Sequence, residues 1–304
     1  MFKNVRIWVL KEYTSLESEK DMALFESVKA HDGTSLRVAR FDPVNKPLGV
    51  VQIIHGFGEG LIHYKEIASC FATNGYACVV HDQRGFGEMP GIAPHKRKKV
   101  RGVIPGYKYL LEDIRTLRGK IDMWYPGTPV IVFGHSMGGN LAVNYLVGGF
   151  APDYVKAILE APWLRLYKPL PGFATSVAGL MGKVSSKLTI PARLNLSDIS
   201  RDENIVKSLE NDGVYHNRMS LRLYAEVVKA GERAIMNANK ITVPVLLLCP
   251  GADKIVCPKA IREFHNRAGE NVTLVEYPGA YHCLHADINN VEVVTAMLGF
   301  CSRK

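Results

Sequence analysis

The stretch of sequence that decides the fold is PVIVFGHSMGGNLAVNYLV, residues 129–147. It begins with a short β-branched apolar run, typical of a strand buried on both faces, and ends with a helical pattern. Between them lies Ser136, with Gly134 and Gly138 two residues away on either side. The chain must turn sharply at Ser136 to pass from the strand into the helix, and so tight a turn strains the serine backbone. Side chains at the two glycines would collide with the neighbouring strand and helix. We therefore predict that Ser136 is a nucleophile above the sheet, at the start of a helix whose dipole favours developing negative charge.

The rest of the chain alternates between strand-like and helical patterns. Further continuous apolar runs lie at residues 48–54, 76–80 and 243–249. Helical patterns lie at residues 64–73, 109–123, 140–147, 259–268 and 291–300. This alternation predicts an α/β fold with a mostly parallel, doubly wound sheet. Two earlier runs, 23–30 and 35–41, flank an Asp-Gly pair and predict an antiparallel hairpin at the start of the sheet.

The alternation stops between Pro162 and Asn239. This segment contains proline and glycine turns, apolar residues and a polar run at 197–212. Because the strand pattern resumes at Val243, we predict helices and loops inserted between two strands rather than a separate domain. The predicted organisation is one domain at residues 22–304 with an inserted helical cap at 162–239, after an N-terminal extension at residues 1–21.

A serine hydroxyl needs a general base to become nucleophilic, and two candidate partners follow later runs. Asp253 comes just after the run at 243–249, and His282 comes after another run at 272–277. Both fall at the carboxyl ends of parallel strands, the edge where ligands bind in open α/β sheets. Each is also typical of a turn aspartate or a packed loop histidine, but the order serine, acid, histidine is that of a known triad. We predict His282 as general base and Asp253 as the acid that orients it.

A tetrahedral intermediate also needs hydrogen-bond donors for its oxyanion. The run at 48–54 leads into His55, Gly56 and Phe57, where this arrangement places one donor, and the residue after the nucleophile supplies the other. We predict the backbone N–H groups of Phe57 and Met137 as these donors.

These motifs resemble those of the monoacylglycerol lipase and lysophospholipase group of the α/β-hydrolase superfamily, broadly described as serine aminopeptidase-like hydrolases. The resemblance runs from Leu24 to the C-terminus, with the predicted cap matching least well. The matching pieces are HGFGE at residues 55–59, GHSMGG at 134–139, LSDISR at 196–201, PGAD at 250–253 and GAYHCLH at 279–285. The serine motif is shared by the whole superfamily, whereas the last block is more specific to this group.

The resemblance implies the α/β-hydrolase fold and hydrolysis of a small-molecule acyl ester without a cofactor. It implies that His285 and Glu59 lie near the polar end of the substrate; the alternatives are a histidine behind the first shell of contacts and a surface carboxylate. In the cap, Leu180 and Met181 belong to a set of apolar residues that would line an acyl pocket, dip towards a membrane or pack within the cap. The chain departs from the group's pattern at His63, where an arginine is common, and at residues 82–89, DQRGFGEM. These departures leave the triad intact and the head group open.

Composition excludes several classes of protein. The 304 residues are 47% hydrophobic and 22% charged, as in ordinary globular proteins. No apolar run approaches the roughly 20 residues of a membrane-spanning helix, and the N-terminus lacks the pattern of a signal peptide. The six cysteines form no C-x-x-C pair and lie mostly in apolar segments. We therefore predict reduced thiols in a cytoplasmic protein, with no zinc or other metal site.

The net charge of +9 is concentrated in part at residues 95–101, where five of seven residues are cationic. One interpretation is a solvated surface loop, and the other is peripheral contact with an anionic membrane. A single run without interleaved aromatic residues does not indicate nucleic-acid binding. The sequence carries no prediction of the oligomeric state.

Other functions fit the same pattern. A small-ester carboxylesterase, a thioesterase and an aminopeptidase share this fold, which by itself does not decide between them. A hydrolase fold retained as a binding module is disfavoured, because all three triad residues are present. The leading hypothesis is hydrolysis of medium to long acyl esters through an acyl-enzyme formed on Ser136.

Overall fold

The structure is a computed structural model that describes residues 23–89, 92–148, 154–185, 187–192 and 194–303. The extension predicted at residues 1–21 lies outside this part of the chain. Within it the strands are β1 (Ala23–Lys29), β2 (Ser35–Phe41), β3 (Gly49–Ile54), β4 (Tyr76–His81), β5 (Val130–His135), β6 (Lys156–Glu160), β7 (Thr189–Pro191), β8 (Arg218–Ser220), β9 (Val245–Pro250) and β10 (Val272–Tyr277). The α-helices are α1 (Lys65–Thr73), α2 (Pro94–Val100), α3 (Tyr107–Trp124), α4 (Met137–Val147), α5 (Gly172–Val184), α6 (Glu203–Asn211), α7 (Leu221–Met236), α8 (Pro258–Ala268) and α9 (Asn290–Ser302).

In the described residues, eight strands form the main sheet in the order β1-β2-β4-β3-β5-β6-β9-β10. β1 and β2 are antiparallel, with Lys29 opposite Ser35, which confirms the predicted hairpin. β2 also pairs antiparallel with β4, and every pair from β4 to β10 is parallel. The predicted α/β fold with a mostly parallel sheet is therefore confirmed.

β6 lies in the middle of the sheet, although the sequence patterns did not predict it. Its five residues, KAILE, contain too short an apolar run to stand out along the chain. In the sheet, β5 pairs with one edge of β6 and β9 with the other, so tertiary pairing supplies the hydrogen bonds that stabilise the strand. Its last residue, Glu160, lies at the same edge of the sheet as Ser136.

The core has two layers, one on each face of the sheet. Side chains alternate between the faces of a strand. In β3, Val50 and Ile54 contribute to one layer, whereas Val51 and Ile53 contribute to the other. Every residue of β3, β4, β5 and β9 is buried, as the continuous apolar runs predict for strands covered on both faces. This rigid sheet carries the loops of the candidate site at its carboxyl edge.

The segment between β6 and β9 contains α5, α6 and α7 together with a short antiparallel ribbon of β7 and β8. The sequence predicted helices and loops here, so the ribbon is a finding of the structure. Strands of three residues are too short to show an alternating pattern, and Thr189 meets Ser220 only through the fold. α7 packs on α4 and buries Leu223, Val227 and Ala230 in the core. The cap boundaries at 162–239 stay a prediction.

The basic run at 95–101 is a helix over most of its length, so its interpretation as a loop is wrong. A proline lies in the first turn of α2, where its fixed φ favours a helix start, and lysine and arginine are good helix formers. No helix in the described residues is long and apolar enough to cross a membrane.

Candidate active site

Ser136 lies between β5 and α4 with φ 53° and ψ −115°. This is a positive φ at a residue with a side chain, which costs of order 1–3 kcal/mol and persists only where the surroundings enforce it. The surroundings are tight, because a Cβ at Gly138 would lie 2.0 Å from the carbonyl oxygen of Ile54 and one at Gly134 would lie 2.6 Å from that of Gly138. The two glycines thus permit the strained turn that the sequence predicted.

Asp253 and His282 come together at the same edge of the sheet. Asp253 follows β9 and His282 follows β10, and His282 Nδ1–H donates to Asp253 Oδ2 over 2.6 Å. The other carboxylate oxygen, Oδ1, accepts backbone N–H groups from Ile255 at 2.7 Å and Val256 at 3.0 Å. The acid is therefore held from both sides and directs the histidine so that Nε2 is the atom available to a substrate or a hydroxyl.

Burial of His282 favours the neutral imidazole, but the Asp253 carboxylate outweighs burial and raises the pKa of His282 above its ordinary value. Glu59 and Glu160 act in the same direction. A histidine in this field takes up a proton readily, as a general base must when a serine hydroxyl attacks.

A cavity of about 950 Å³ opens above Ser136 and His282. Its volume is that of a site for a medium-sized organic ligand. Glu59, His135 and Lys254 are among the polar residues of its lining. The wall contributed by the chain after β6 is largely apolar, with Trp163, Leu166, Tyr167, Leu170, Ile190, Leu194, Ile199, Met219 and Tyr224. The arrangement joins a serine and a histidine to a chamber whose wall is largely apolar.

The two predicted oxyanion donors belong to the residue after Ser136 and to a loop that approaches it. Met137 is the first residue of α4, where a backbone N–H has no acceptor within the helix. Phe57 lines the cavity and follows Gly56, where a Cβ would lie 3.2 Å from Cβ of Ser136. The close approach of this loop to the serine needs glycine at position 56, and it brings the neighbouring Phe57 backbone towards the same point. The assignment of both donors stays a prediction.

Glu59 is buried rather than a surface carboxylate, and it also lines the cavity. Its Oε2 accepts the N–H of Gly56 at 2.6 Å and the hydroxyl of Tyr64 at 2.7 Å. Burial disfavours the charged form of Glu59, yet His135, His63 and the Tyr64 hydroxyl hold its pKa well below the ordinary value. Glu59 therefore braces the Phe57 loop as a carboxylate, and one side of it faces the chamber.

His285 is buried and is not among the described residues that line the cavity. Its Nδ1 lies 2.9 Å from Glu160 Oε2, and its ring lies against Tyr64 with centroids 5.0 Å apart. Burial opposes protonation, but Cys283 and Glu160 raise the pKa of His285 well above its ordinary value. The Glu160 carboxylate is the charge that raises the pKa of His285, because burial raises the pKa of the Cys283 thiol to about 11 and leaves the thiol uncharged. His285 thus lies behind the site, as a cation paired with Glu160.

Leu180 and Met181 lie on α5 and are 67% and 45% exposed. Neither belongs to the cavity lining in the described residues, whereas Trp163, which follows β6, does. The exposed side of α5 carries Val177 as well, so this helix presents an apolar face to the outside.

The sequence reasoning missed three buried residues of the site: His135, Tyr64 and Glu160. His135 precedes the serine, and its ring lies 4.9 Å from that of His282. Glu160 could have been found from the sequence, because it is an acid at the carboxyl end of a strand, as Asp253 is just beyond one. That reasoning required β6 to be recognised as a strand. Tyr64 had no signal of its own, since its contact with His135 joins residues 71 positions apart.

Two buried groups bring possible metal ligands within 4.8 Å of one another: Glu59, His135 and Cys283, and Glu160, Cys283 and His285. The spacing along the chain does not reveal either group. Hydrogen bonds already join His135 to Glu59, His285 to Glu160 and Cys283 to His285. The expectation that the protein holds no metal or cofactor stays a prediction.

Comparison with known proteins adds to this geometry. Residues 45–289 match the model of a family described as serine aminopeptidase, S33. An uncharacterised abhydrolase domain-containing protein of Dictyostelium discoideum is 30% identical over 88% of this chain and 28% of its own length. A putative monoglyceride lipase of Schizosaccharomyces pombe is 29% identical over 81% of this chain and 65% of its own. This chain thus spans less than two thirds of either relative.

Among solved structures, the monoacylglycerol lipase of Paleococcus ferrophilus superposes with a TM-score of 0.78. It is 26% identical and covers 88% of this chain and 98% of its own. The α/β-hydrolase fold and the similarity to monoacylglycerol lipases that the motifs predicted are confirmed.

Proposed function

Because the chain belongs to the serine aminopeptidase S33 family of α/β hydrolases, we propose that it is a serine hydrolase that cleaves carboxylic esters through an acyl-enzyme. The observation that carries this proposal is the strained Ser136 in one chamber with a histidine that is hydrogen bonded to a buried aspartate. Strain of this kind concentrates at functional sites. The names of the fission-yeast and archaeal relatives support an ester of the monoacylglycerol type.

In the proposed reaction, Ser136 Oγ attacks the ester carbonyl while His282 Nε2 takes its proton. Asp253 stabilises the imidazolium that forms, and the N–H groups of Phe57 and Met137 receive the oxyanion. His282 then gives the proton to the leaving alcohol, and the acyl group remains on the serine. Water, deprotonated by the same histidine, attacks the acyl-enzyme and releases the acid.

The apolar wall favours medium to long acyl chains over small esters. Each buried methylene contributes about 0.8 kcal/mol, so a chain of several carbons would gain substantial binding energy in this chamber. An aminopeptidase instead needs an acid free to bind the substrate ammonium group. Oε2 of Glu59 already accepts two hydrogen bonds and Asp198 pairs with Lys254 at 3.6 Å, so each of these lining acids is at least partly engaged by the protein itself. We therefore place monoacylglycerols and lysophospholipids ahead of peptides and small esters.

The exposed face of α5 and the basic helix α2 support peripheral contact with an anionic membrane. Leu180 and Met181 are exposed on α5, where Gly182 lies against Arg222. Gly102, just after α2, accepts the N–H of Ser220. Gly182 of α5 and Gly102 after α2 thus both lie beside the start of α7. Cationic groups and an exposed apolar face are the two components of an interfacial binding surface.

A cytoplasmic location remains part of the proposal. All six cysteines lie in described residues and none forms a disulfide, as expected in a reducing compartment.

The proposed activity is tested by labelling the purified protein with a fluorophosphonate and by measuring hydrolysis of acyl esters of graded length and head group. We expect covalent labelling of Ser136 in the wild type and none in Ser136→Ala, whose turnover should fall by about 10³-fold or more while its melting temperature is retained. Substantial esterase activity in folded Ser136→Ala would show that the nucleophile lies elsewhere. Cleavage of aminoacyl amides in preference to esters would replace the proposed substrate class with that of an aminopeptidase.

A further inference from the structure

Glu160 lies between the two loops that carry Ser136 and His282. It is the last residue of β6, an interior strand flanked by β5 and β9. Its backbone carbonyl accepts the N–H of Ser136 at 3.0 Å, across the boundary between β6 and the strained turn. One end of this residue is thus fixed to the nucleophile through the main chain.

The side chain of Glu160 reaches the other loop. Oε2 and Oε1 lie 2.9 Å and 3.0 Å from His285 Nδ1, and Oε1 accepts the backbone N–H of His285 at 3.2 Å. His285 belongs to a 3₁₀ turn, Leu284–Ala286, three residues beyond His282. The carboxylate therefore holds both the ring and the main chain of the segment that carries the histidine.

A fully buried carboxylate is costly unless it is paired and hydrogen bonded. Glu160 is fully buried, and its pairing with His285 outweighs burial and holds its pKa below the ordinary value. The surrounding groups are Tyr64 against the His285 ring, Cys283 at 3.6 Å from His285 Nε2, and His135 Nε2 at 4.0 Å from Glu160 Oε1. An ionised pair in such an enclosure is directional and resists displacement, because any movement leaves a buried charge without its partner.

We propose that Glu160 is a positioning residue, which joins the loop of Ser136 to the loop of His282 and sets the distance between nucleophile and base. The proposal rests on the serine-hydrolase function proposed above. Glu160 is not among the described residues that line the cavity, so it acts through His285 and the main chain rather than through the substrate. Small errors in the alignment of reacting groups are expensive, since a displacement of about 1 Å can cost about 10²-fold in rate.

The test compares Glu160→Ala, Glu160→Gln and a matched control, Glu276→Gln. Glu276 also lies near the carboxyl end of a strand and pairs with a cation, Arg262, but it is exposed. For each purified variant we would measure the melting temperature, kcat and KM on a soluble ester, and the rate of fluorophosphonate labelling. Glu160→Ala should lower kcat and the labelling rate by about 10²-fold with KM nearly unchanged.

Glutamine keeps an oxygen that can accept from His285 but loses the charge that strengthens the bond. Glu160→Gln should therefore recover part of the rate and stay about tenfold below the wild type. The control should match the wild type. Should Glu160→Ala not fold, the glutamine variant decides, because its side chain has nearly the same shape.

A cycle with His285→Ala identifies the route of the effect. If Glu160 acts through His285, the loss of rate in the double variant should be clearly smaller than the product of the two single losses, because only the hydrogen bond to the backbone N–H of residue 285 is then left to remove. Three results would each overturn the inference. The first is additive losses in the cycle, and the second is a rise in KM with kcat unchanged. The third is a kcat within about twofold of the wild type in folded glutamine and alanine variants. Failure of the underlying function looks different, because the wild type itself would then not be labelled at Ser136.

Discussion

Replacing Asp253 with asparagine changes one atom and tests the role of the acid. Asp253 Oδ1 accepts two backbone N–H groups, from Ile255 and Val256, so the amide of the variant is expected to keep its oxygen on that side. Its NH₂ group then takes the place of Oδ2, which lies 2.6 Å from His282 Nδ1 in the wild type. Two donors would meet there, and the imidazole must accept at Nδ1 and carry its proton on Nε2 instead.

A histidine protonated on Nε2 cannot take the proton of Ser136, and the imidazolium of the transition state loses its counter-charge. An aspartate-to-asparagine change in a triad of this kind lowers kcat by about 10⁴-fold, which corresponds to about 5 kcal/mol of transition-state stabilisation. We expect a loss of that order for Asp253→Asn on a soluble ester, with a melting temperature close to that of the wild type because the two backbone hydrogen bonds remain.

The pH profile gives a second measure of the same change. The wild type needs neutral His282, so its kcat/KM should fall as pH drops below the pKa of that histidine. Burial lowers this pKa, but Asp253 raises it above the ordinary value. Without the carboxylate the pKa falls, and the acidic limb of the residual activity should move to lower pH.

Asp82 provides the matched comparison, since it also follows a strand and is buried. It accepts the N–H of Leu61, and burial raises its pKa to about 6. Asp82→Asn should leave the acidic limb in place. Near-wild-type activity of Asp253→Asn, together with a severe loss in folded Asp82→Asn, would refute our assignment of the acid.

Three further perturbations follow from the structure. Ile190→Ser and Leu194→Ser remove apolar cavity wall and should raise KM for long acyl esters more than for short ones, since each methylene contributes about 0.8 kcal/mol; an equal rise for all chain lengths would argue against an acyl site. Neutralising the cations of residues 96–101 should reduce activity on anionic vesicles but not on soluble esters. The loss should shrink as salt is raised, because salt screens exposed charges and the Debye length is already about 8 Å at physiological ionic strength. Unchanged vesicle activity at low salt would refute the proposed membrane contact. Gly138→Ala places a Cβ 2.0 Å from a backbone oxygen and should lower the melting temperature markedly; a variant as stable as the wild type would mean that the turn is looser than described.

Local sequence was sufficient for much of the fold. Many elements can be recognised within a single segment, because continuous apolar runs and 3.6-residue patterns reflect the burial of that segment alone. These elements are the hairpin, the buried parallel strands β3, β4, β5 and β9, and the helices that alternate with them. Errors occurred where a segment is stabilised by distant parts of the chain. β6 is short and depends on two neighbouring strands, and β7 and β8 have three residues each and depend on each other.

In the candidate site, too, some features follow from local sequence and others only from the tertiary structure. The sequence by itself determined which side chains are chemically able to act, since Ser136, Asp253 and His282 each follow a strand run and share one edge in any parallel sheet of this order. Only the tertiary structure decided which groups support them. Glu160 meets His285 across 125 positions of the chain, and Glu59 meets His135 across 76, so no local pattern can report these contacts. The pairing that keeps Glu59 and Glu160 ionised in spite of their burial is a property of the packed molecule and exists only once the sheet has brought its strand ends together.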